Sequence, residues 1–383
     1  MARRMAEIEP FHVMELLARA RELEAQGRSI IHMEIGEPDF PTPEPVLRAG
    51  RKALEKGELF YTPTPGLPQL REAIAGFYRS RYGVEVSSSR ILVTTGSSAA
   101  LMLACAVLVN PGDEVLLADP GYPANRHFVR VVEGLPRAVP VDASSSYQLT
   151  PQHLERNWGP HTAAALVASP SNPTGTLIST ERLAAMAEIA REKGGTLIVD
   201  EIYHGLVYGD EYTTALALAD DVFVINSFSK FFNMTGWRLG WMVAPEPYVR
   251  ELDKLAQNLY LAAPTLSQYA ALAAFEPETL AILAKRAQEF KARRDYLVPA
   301  LRDLGFDIPV TPQGAFYIYA GCGKLTKDSF GFARDLLEQA GVAITPGIDF
   351  GANAPERHVR FAYTNSIERL REGVARIAKF LKT

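Results

Sequence analysis

Between residues 91 and 244 of this 383-residue chain, short apolar runs alternate with longer stretches of helical periodicity. Strands that are buried on both faces are typically continuous apolar runs, and the helices that connect them cover both faces of a parallel sheet. The pattern therefore predicts an α/β fold whose large domain has three αβα layers and a mostly parallel sheet. Its strands are predicted at residues 91–95, 114–118, 137–141, 163–169, 196–200, 222–227 and 239–244.

The pattern changes on both sides of this region. A long charged helix is predicted from Glu276 to Leu304, followed by strands near 315–319, 343–345 and 358–362 and helices near 329–340 and 367–381. With a helix near 13–26, these elements predict a smaller α+β domain built from both termini. We expect residues 1–47 to form an N-terminal arm and part of the small domain, 48–275 the large domain, and 276–383 the small C-terminal domain.

Composition and charge argue against several classes of function. A net charge of -4 provides no positive field that would attract nucleic acid or an anionic membrane. Cys105 and Cys322 are too few for a disulfide framework or a structural zinc site, and the histidines have no metal-ligand spacing. No apolar run is long enough to span a bilayer, and the N-terminus lacks the apolar core of a signal peptide. We therefore expect a cytoplasmic protein without a metal site.

Polar residues follow the first and fourth predicted strands, at the edge where sheets of this kind bind ligands. Gly96-Ser97-Ser98 leads into a helix, and free amides and hydroxyls at a helix N-terminus suit a phosphate. Capping of that helix by Ser97 or Ser98 is an equally good interpretation. Asn172 follows the fourth strand, where its amide can contact a ligand or belong to a proline-rich turn.

Charged residues follow the fifth and sixth predicted strands. Asp200 ends a buried strand, where a carboxylate needs a cation or a proton donor, although a helix N-cap is an alternative. Lys230 is followed by an apolar stretch that favours burial, and burial lowers the pKa of a lysine until it can attack carbonyl groups. Arg238 lies among these apolar residues and would need an anionic partner.

In sequence order, the motifs Asn172-Pro-Thr-Gly175, Asp200-Glu-Ile-Tyr203 and Ser227-Phe-Ser-Lys230, with Arg238, resemble those of class I aminotransferases that depend on pyridoxal 5'-phosphate (PLP). These enzymes belong to the fold-type-I, or aspartate aminotransferase, superfamily, and the resemblance extends from Gly36 to Arg360. It implies that residues 48–275 bind PLP. It also implies transamination of an L-amino acid with a 2-oxo acid, expected to be 2-oxoglutarate, through a Schiff base on Lys230.

The resemblance implies a role for each matching residue. Lys230 would carry the cofactor and transfer a proton, and Asp200 would keep the pyridine nitrogen protonated. Tyr203 and Asn172 would hydrogen-bond the phenolic oxygen of the ring, and Tyr122 would stack on its face. The residues implied around the phosphate are Gly96, Ser97, Ser98, Ser227, Ser229 and Arg238, and those implied to contact the substrate are Gly36, Tyr122, Asn172 and Arg360.

Two implied roles concern the substrate carboxylate and a second subunit. Arg360 would bind the α-carboxylate as a bidentate fork. Tyr61 would reach the phosphate from the other subunit, which makes the protein a homodimer with shared active sites. Considered without the resemblance, Arg360 could be a surface residue on an edge strand, Tyr122 a core residue and Tyr61 a surface aromatic.

The reaction and the substrate are less constrained than the cofactor. The same scaffold supports lyases and other PLP reactions on amino acids, and a non-catalytic PLP-binding regulator is a less favoured alternative. Ser98 stands where some aspartate enzymes carry lysine, Tyr122 stands where tryptophan is common in them, and residues 251–285 contain no arginine. We therefore expect a neutral amino donor with an aliphatic or aromatic side chain.

Overall fold

The computed structural model describes residues 1–209 and 211–382. The α-helices are α1 (His12–Ala25), α2 (Glu44–Lys56), α3 (Pro68–Tyr82), α4 (Gly96–Leu108), α5 (Pro123–Val131), α6 (Pro151–Asn157), α7 (Thr180–Glu192), α8 (Glu246–Leu259), α9 (Thr265–Leu272), α10 (Pro277–Asp303), α11 (Ser329–Asp335) and α12 (Ile367–Phe380). The strands are β1 (Ile31–His32), β2 (Ile91–Thr94), β3 (Glu114–Asp119), β4 (Leu135–Pro140), β5 (Thr162–Ala168), β6 (Thr196–Asp200), β7 (Phe223–Ser227), β8 (Gly240–Val243), β9 (Tyr317–Gly321), β10 (Val342–Ala343), β11 (Thr345–Pro346) and β12 (His358–Ala362).

Within the described ranges, the larger sheet has seven strands in the order β2-β8-β7-β6-β5-β3-β4. Strands β3 to β7 pair in parallel, and β8 is antiparallel to both β2 and β7. The predicted mostly parallel α/β sheet is confirmed, and its strands lie within two residues of their predicted ends. Because β5, β6 and β7 are neighbours, the polar residues that follow them meet at one edge of the sheet.

The larger sheet is buried on both faces, which explains why its strands are continuous apolar runs. On β6, Leu197 and Val199 belong to one apolar core and Ile198 to the other. Side chains of α3 and α7 complete the first core, and side chains of α4 and α8 complete the second. Alternate residues of a strand point to opposite faces, so both faces of β6 require apolar residues.

Proline and glycine delimit α2 and α3. Pro45 lies in the first turn of α2 and Pro68 begins α3, at positions where the missing amide hydrogen is not needed for an intrahelical hydrogen bond. The two helices end at Gly57 and Gly83, whose φ angles of 71° and 68° lie in the left-handed region. Glycine adopts this region without the steric cost that other residues incur.

A smaller α+β region combines both ends of the chain, as predicted. Strands β11, β12 and β9 form an antiparallel sheet with β12 in the middle, and β1 pairs in parallel with β10. The pairing of β1 with β10 places Ile31 opposite Val342. The domain boundaries after residues 47 and 275 stay a prediction. Across residues 1–209 and 211–382, no helix combines the length and apolarity needed to cross a membrane.

Several sequence-based predictions of single elements were wrong or incomplete in detail. The strand predicted at 343–345 is two strands, because the chain leaves β1 after Ala343 and Thr345 then pairs with Arg360 of β12. The helix predicted at 329–340 is α11 followed by a wider π-helical turn over Leu336–Ala340. Helices α6, α8 and α9 were not predicted. Prolines in the first turns of α6 and α8 mark where those helices begin.

We expect Ile198→Ala to lower the free energy of unfolding by about 2–5 kcal/mol, because it removes buried methylene groups and leaves a cavity between β6 and the helices above it. Ile198 is fully buried. Chemical denaturation measures the change, with Leu135→Ala as the control, since Leu135 lies on edge strand β4 and is 42% exposed. Equal losses of stability in the two variants would contradict the burial described for β6.

Candidate active site

A cavity of about 280 Å³ lies where the carboxyl edge of the larger sheet faces the smaller one. Its walls come from residues that follow β5, β6 and β7, from β9 and β12, and from α1 and α4. Of the residues predicted from the sequence, the cavity is lined by Gly36, Ser97, Ser98, Tyr122, Asn172, Asp200, Tyr203, Ser229, Lys230, Arg238 and Arg360. The fold therefore brings together predicted residues that are far apart in the sequence, such as Gly36 and Arg360, which are 324 positions apart.

Lys230 is half-buried, and its amine points into the cavity. Its Nζ donates a hydrogen bond to the carbonyl oxygen of Gly36 at 2.7 Å and lies near the faces of the Tyr203 and Phe316 rings, 5.9 and 5.8 Å from their centroids. Burial lowers the pKa of Lys230 to about 8, and the positive charges of Arg360 and Arg238 act in the same direction. A fraction of the amine is therefore unprotonated near neutral pH.

Asp200 ends β6 and is 3% exposed. It accepts a hydrogen bond from the Ile202 amide at 3.2 Å, and no ion pair with Asp200 is found among the described residues. Burial raises the pKa of this carboxyl to about 7. The alternative of a helix N-cap is wrong, because a turn rather than an α-helix follows Asp200. A buried carboxyl of this kind is stabilised by a ligand that brings a proton or a positive charge.

Tyr203 and Asn172 lie beside Asp200 at the same edge of the sheet. The hydroxyl groups of Tyr203 and Tyr317 are hydrogen-bonded at 2.9 Å, and burial raises the pKa of both phenols, which keeps them protonated. The side chain of Asn172 is 7% exposed, and its Oδ1 accepts a hydrogen bond from Arg360. These groups can offer hydrogen-bond donors to an oxygen of a bound molecule.

Arg360 is 5% exposed and lies on β12, the middle strand of its sheet, so the interpretation as a surface residue on an edge strand is wrong. Its guanidinium donates to Asn172 Oδ1 at 2.9 Å, to Thr345 Oγ1 at 3.1 Å and to the carbonyl oxygen of Glu34. It also lies over the Tyr317 ring, 4.3 Å from the centroid. No carboxylate pairs with it in the described part of the chain, and its buried Nε has no partner there. A planar cation held in this way can bind a carboxylate.

The other end of the cavity lies at the first turn of α4. Ser97 and Ser98 belong to this turn, so their interpretation as helix caps is wrong, and the N-cap residue Thr95 forms no capping bond through its side chain. Gly96 has a φ of 74°, and a Cβ added to it would lie 2.6 Å from Arg238 Nη2. Arg238 is exposed to the cavity rather than enclosed by apolar residues, and its Nη1 donates to the Thr235 carbonyl oxygen at 3.2 Å. Free amides, hydroxyls and a guanidinium here suit an anion.

Comparisons with known proteins agree with this geometry. The family model for class I and II aminotransferases matches residues 28–377. The chain is 38% identical to the (5-formylfuran-3-yl)methyl phosphate transaminase of Methanocaldococcus jannaschii, over 100% of this chain and 99% of that protein. It is 37% identical to the valine–pyruvate aminotransferase of Mycobacterium tuberculosis, over 98% of this chain and 97% of that protein.

The chain belongs to the class I and II aminotransferase family. Solved structures agree: an aminotransferase from Mycobacterium tuberculosis has a TM-score of 0.96 at 37% identity, over 100% of this chain and 99% of that one. The aspartate aminotransferase of Thermus thermophilus with maleate has a TM-score of 0.94 at 34% identity, over 99% of both chains. The protein is thus an enzyme that catalyses transamination and depends on PLP, as the sequence predicted.

The residues of this aminotransferase fit PLP at both ends of the cofactor. A buried carboxyl without an ion pair, Asp200, matches a protonated ring nitrogen. The turn at Gly96, the hydroxyls of Ser97 and Ser98, and the guanidinium of Arg238, which lines the cavity, match a phosphate group. The cavity thus offers each polar part of the cofactor a complementary group.

Three predicted residues of the aminotransferase do not line this cavity. Gly96 lies next to Arg238, since a Cβ added to it would be 2.6 Å from Arg238 Nη2, but it does not line the cavity itself. Ser227 is 1% exposed and accepts a hydrogen bond from the Ser229 amide at 3.0 Å, so it shapes the turn before Lys230. Tyr61 is 84% exposed and lies outside the cavity of its own subunit. Gly36 lines the cavity where a Cβ would lie 1.8 Å from Tyr317 Oη, so only glycine fits there.

Other cavity residues were not predicted from the sequence. Tyr317 connects Tyr203 with Arg360, and Thr345 bonds Arg360. Asp349 is also part of the cavity wall. So are four apolar residues in or next to α1: Phe11, Val13, Met14 and Leu17. None belongs to a recognisable motif, and only the three-dimensional packing identifies them.

We expect the cofactor-free enzyme to lose stability between about pH 4 and pH 7, in part because of Asp200. The carboxyl has a pKa of 3.8 in its ordinary state and about 7 in the folded protein. Between these values the folded state binds more protons than the unfolded state, so the free energy of unfolding falls as pH rises. Asp200→Asn removes this contribution. The free energy of unfolding of the variant minus that of the wild type should therefore increase by roughly 2–4 kcal/mol from about pH 4 to about pH 8.

Urea denaturation of both proteins at the two pH values measures this difference. Burial also raises the pKa of Glu201, to about 8, but Glu201 is present in both proteins and its contribution largely cancels. A stability difference that is the same at both pH values would contradict the raised pKa of Asp200.

Proposed function

We propose that this enzyme transfers the amino group of an L-amino acid with a neutral aliphatic or aromatic side chain to a 2-oxo acid, with Lys230 as the catalytic lysine. One observation carries the proposal. A half-buried amine with a lowered pKa shares a cavity with a buried carboxyl, Asp200, and a buried guanidinium, Arg360. In the described part of the chain, neither of these two groups forms an ion pair.

Lys230 would hold the cofactor through its amine, the cavity amine that can react with the cofactor aldehyde. When bound, PLP supplies this aldehyde and a ring that accepts electrons from the substrate. The pKa of about 8 leaves a fraction of the Lys230 amine unprotonated and nucleophilic near neutral pH. The same amine would remove the proton from the substrate Cα and later return a proton, as a general acid and base.

Asp200, Tyr203 and Asn172 hold the cofactor in its reactive protonation state. Asp200 would hold the protonated ring nitrogen, which its burial and its lack of an ion pair among the described residues support. Tyr203 and Asn172 would donate hydrogen bonds to the phenolic oxygen. The phenol of Tyr203 suits this task because burial raises its pKa and keeps it protonated. Tyr122 would contact the ring, and Ser227 shapes the turn that would present Ser229 to the phosphate.

Arg360 binds the α-carboxylate that the amino donor and the 2-oxo acid share. Its hydrogen bonds to Asn172 and Thr345 orient the guanidinium before a substrate arrives. Gly36 leaves room for the Tyr317 hydroxyl at this end of the cavity, since any side chain there would collide with Tyr317. Fixed polar groups of this kind increase the rate because they need not reorganise during the reaction.

The proposed donor class rests on the charges around the cavity. Among the described residues that line it, the cations are Lys230, Arg238 and Arg360, and each already has a proposed role. A second carboxylate on the donor would therefore find no further cation among the described cavity residues. The same holds for the distal carboxylate of 2-oxoglutarate, the acceptor that the resemblance implies. Pyruvate has no distal carboxylate and occurs in the name of the Mycobacterium tuberculosis relative, so we propose both oxo acids as candidate acceptors.

The proposed assembly is a homodimer in which Tyr61 reaches the phosphate of the partner's site. Tyr61 is exposed in its own subunit, and exposed apolar side chains lie near it in the sequence. Further exposed apolar side chains lie close in sequence to Thr265, whose Oγ1 donates a hydrogen bond to the Phe60 carbonyl oxygen at 2.7 Å. These side chains are Leu54, Leu59, Phe60, Leu259 and Leu261. A large apolar surface of this kind favours association. We also propose a cytoplasmic location, which the two free and buried cysteines support.

We expect Lys230→Ala to abolish both transamination and the yellow colour of the PLP-loaded enzyme, because no other lysine is among the described residues that line the cavity. Absorbance spectroscopy and an assay of 2-oxo acid formation measure the two effects. Lys193→Ala, at an exposed lysine, is the matched control and should retain both. A Lys230→Ala protein that keeps its colour without added amine would contradict the assignment.

Products separate the remaining alternatives. With donor alone, the proposed enzyme forms at most one equivalent of 2-oxo acid and converts its cofactor to the aminated form; with an acceptor, turnover continues. Continuous release of ammonia without an acceptor would instead indicate a lyase. Binding of PLP without any turnover of neutral or acidic amino acids would indicate a non-catalytic regulator.

We expect mixed dimers of Lys230→Ala and Tyr61→Ala subunits to regain activity that neither variant has alone. If Tyr61 serves the partner's site, each mixed dimer contains one site with both original residues. An equal mixture should recover about a quarter of wild-type activity, since about half of the dimers are mixed and each has one intact site. The measurement is activity after the subunits are dissociated and reassociated at subsaturating PLP.

Tyr61→Phe serves as the control for the hydroxyl group, because it keeps the aromatic ring. An equal mixture whose activity is only the average of the two variants would contradict a shared site. A protein that sediments as a monomer at working concentration would also contradict it.

A further inference from the structure

Helix α1 begins without a capping side chain of its own. Its N-cap residue, Phe11, has no side-chain oxygen, and the first amides of a helix have no intrahelical partner. Two of these amides are bound from far along the chain. His12 N donates to Asp349 Oδ1 at 2.7 Å, and Val13 N donates to Asp349 Oδ2 at 2.9 Å. Both oxygens of one carboxylate are thus used to hold the start of α1.

Asp349 is 2% exposed and lies in the short 3-10 turn Gly347–Phe350, between β11 and β12. A buried carboxylate needs compensation, and the amides and the positive end of the helix dipole provide it. Arg126 donates to the carbonyl oxygen of Asp349 at 3.2 Å, which ties the same turn to α5. The turn therefore fixes α1 relative to the strand that carries Arg360.

Helix α1, whose first amides bind Asp349, contributes an apolar wall to the active-site cavity. Val13, Met14 and Leu17 line the cavity, and the ring of Phe11 lies 6.5 Å from that of Tyr122. Met14 is 55% exposed although it is apolar. An exposed methionine at a cavity wall provides adaptable apolar surface that a bound side chain can cover.

We propose that Asp349 is a positioning residue for substrate selection, which holds α1 so that Val13, Met14 and Leu17 contact the apolar side chain of the amino donor. The inference rests on the proposed function and makes it more specific: unbranched and aromatic donors with long apolar side chains are preferred over alanine. Each further methylene that reaches the wall should increase kcat/KM by about three- to fourfold.

The test compares alanine, 2-aminobutyrate, norvaline and norleucine as donors for wild-type enzyme, Asp349→Ala and Asp349→Asn. We expect Asp349→Ala to lower kcat/KM for norleucine by about tenfold, mainly through KM, and for alanine by only about twofold, because alanine does not reach the wall. Asp349→Asn keeps one acceptor oxygen for the α1 amides and should give an intermediate loss for norleucine.

Two further variants separate substrate selection from folding. Met14→Ala removes part of the wall at an exposed position and should reduce the preference for norleucine while the fold stays intact. Asp328→Ala removes a similar helix cap, the bond that Asp328 Oδ1 accepts from Gly331 N at 3.0 Å at the start of α11. Asp328 does not line the cavity, so this control should keep the wild-type preference.

The outcomes distinguish this inference from the proposed function. A wild-type enzyme that transaminates neither these four donors nor phenylalanine overturns the proposed donor class and this inference with it. A wild-type preference for norleucine that persists unchanged in Asp349→Ala and Met14→Ala overturns this inference alone. Equal losses for all four donors in Asp349→Ala also overturn it, since they would show a role in stability only.

Discussion

The central constraint on this fold is that a buried carboxyl, a half-buried amine and a buried guanidinium must share one small cavity. Asp200, Lys230 and Arg360 form no ion pairs there among the described residues, so their burial is unfavourable until a ligand brings complementary groups. The remainder of the fold has to offset the free energy that burial of these three groups costs. It does so through two apolar cores on either side of the seven-stranded sheet. The cavity is therefore preorganised for its ligands at a cost in stability.

The two sheets divide the task between cofactor and substrate. The larger sheet supplies the residues that fit PLP, whereas β12 of the smaller sheet carries the arginine that fits a carboxylate. At the cavity, two hydrogen bonds between described residues connect them: the hydroxyl groups of Tyr203 and Tyr317 at 2.9 Å, and Asn172 with Arg360, also at 2.9 Å. In the proposed function, these contacts would set the distance between the cofactor ring and the substrate carboxylate. Because reaction rates depend steeply on such distances, both contacts bear directly on catalysis.

Much of the fold and most of the site could be predicted because their signals are local. Strand β6 is a continuous apolar run, so its end and the position of Asp200 could be identified from a few neighbouring residues. Lys230 and Asn172 belong to motifs with fixed spacing. Tyr317 could not be predicted, because its role depends on contacts with Tyr203 and Arg360 that the chain makes only after folding. The division of residues 343–345 into two strands likewise depends on which partner each residue pairs with.

The start of α1 shows most clearly why a single sequence is insufficient. Helix caps are recognised from adjacent residues, yet Phe11 offers none and the cap comes from Asp349, which is 336 to 337 residues away from the amides it binds. Arg360 is oriented in a similar way by the carbonyl oxygen of Glu34, whose buried side chain pairs with His32 at 2.7 Å. The residues next to Glu34 in the sequence do not predict its burial either. Contacts of this kind connect the N-terminal residues to the substrate end of the cavity, and they make its shape a property of the whole chain.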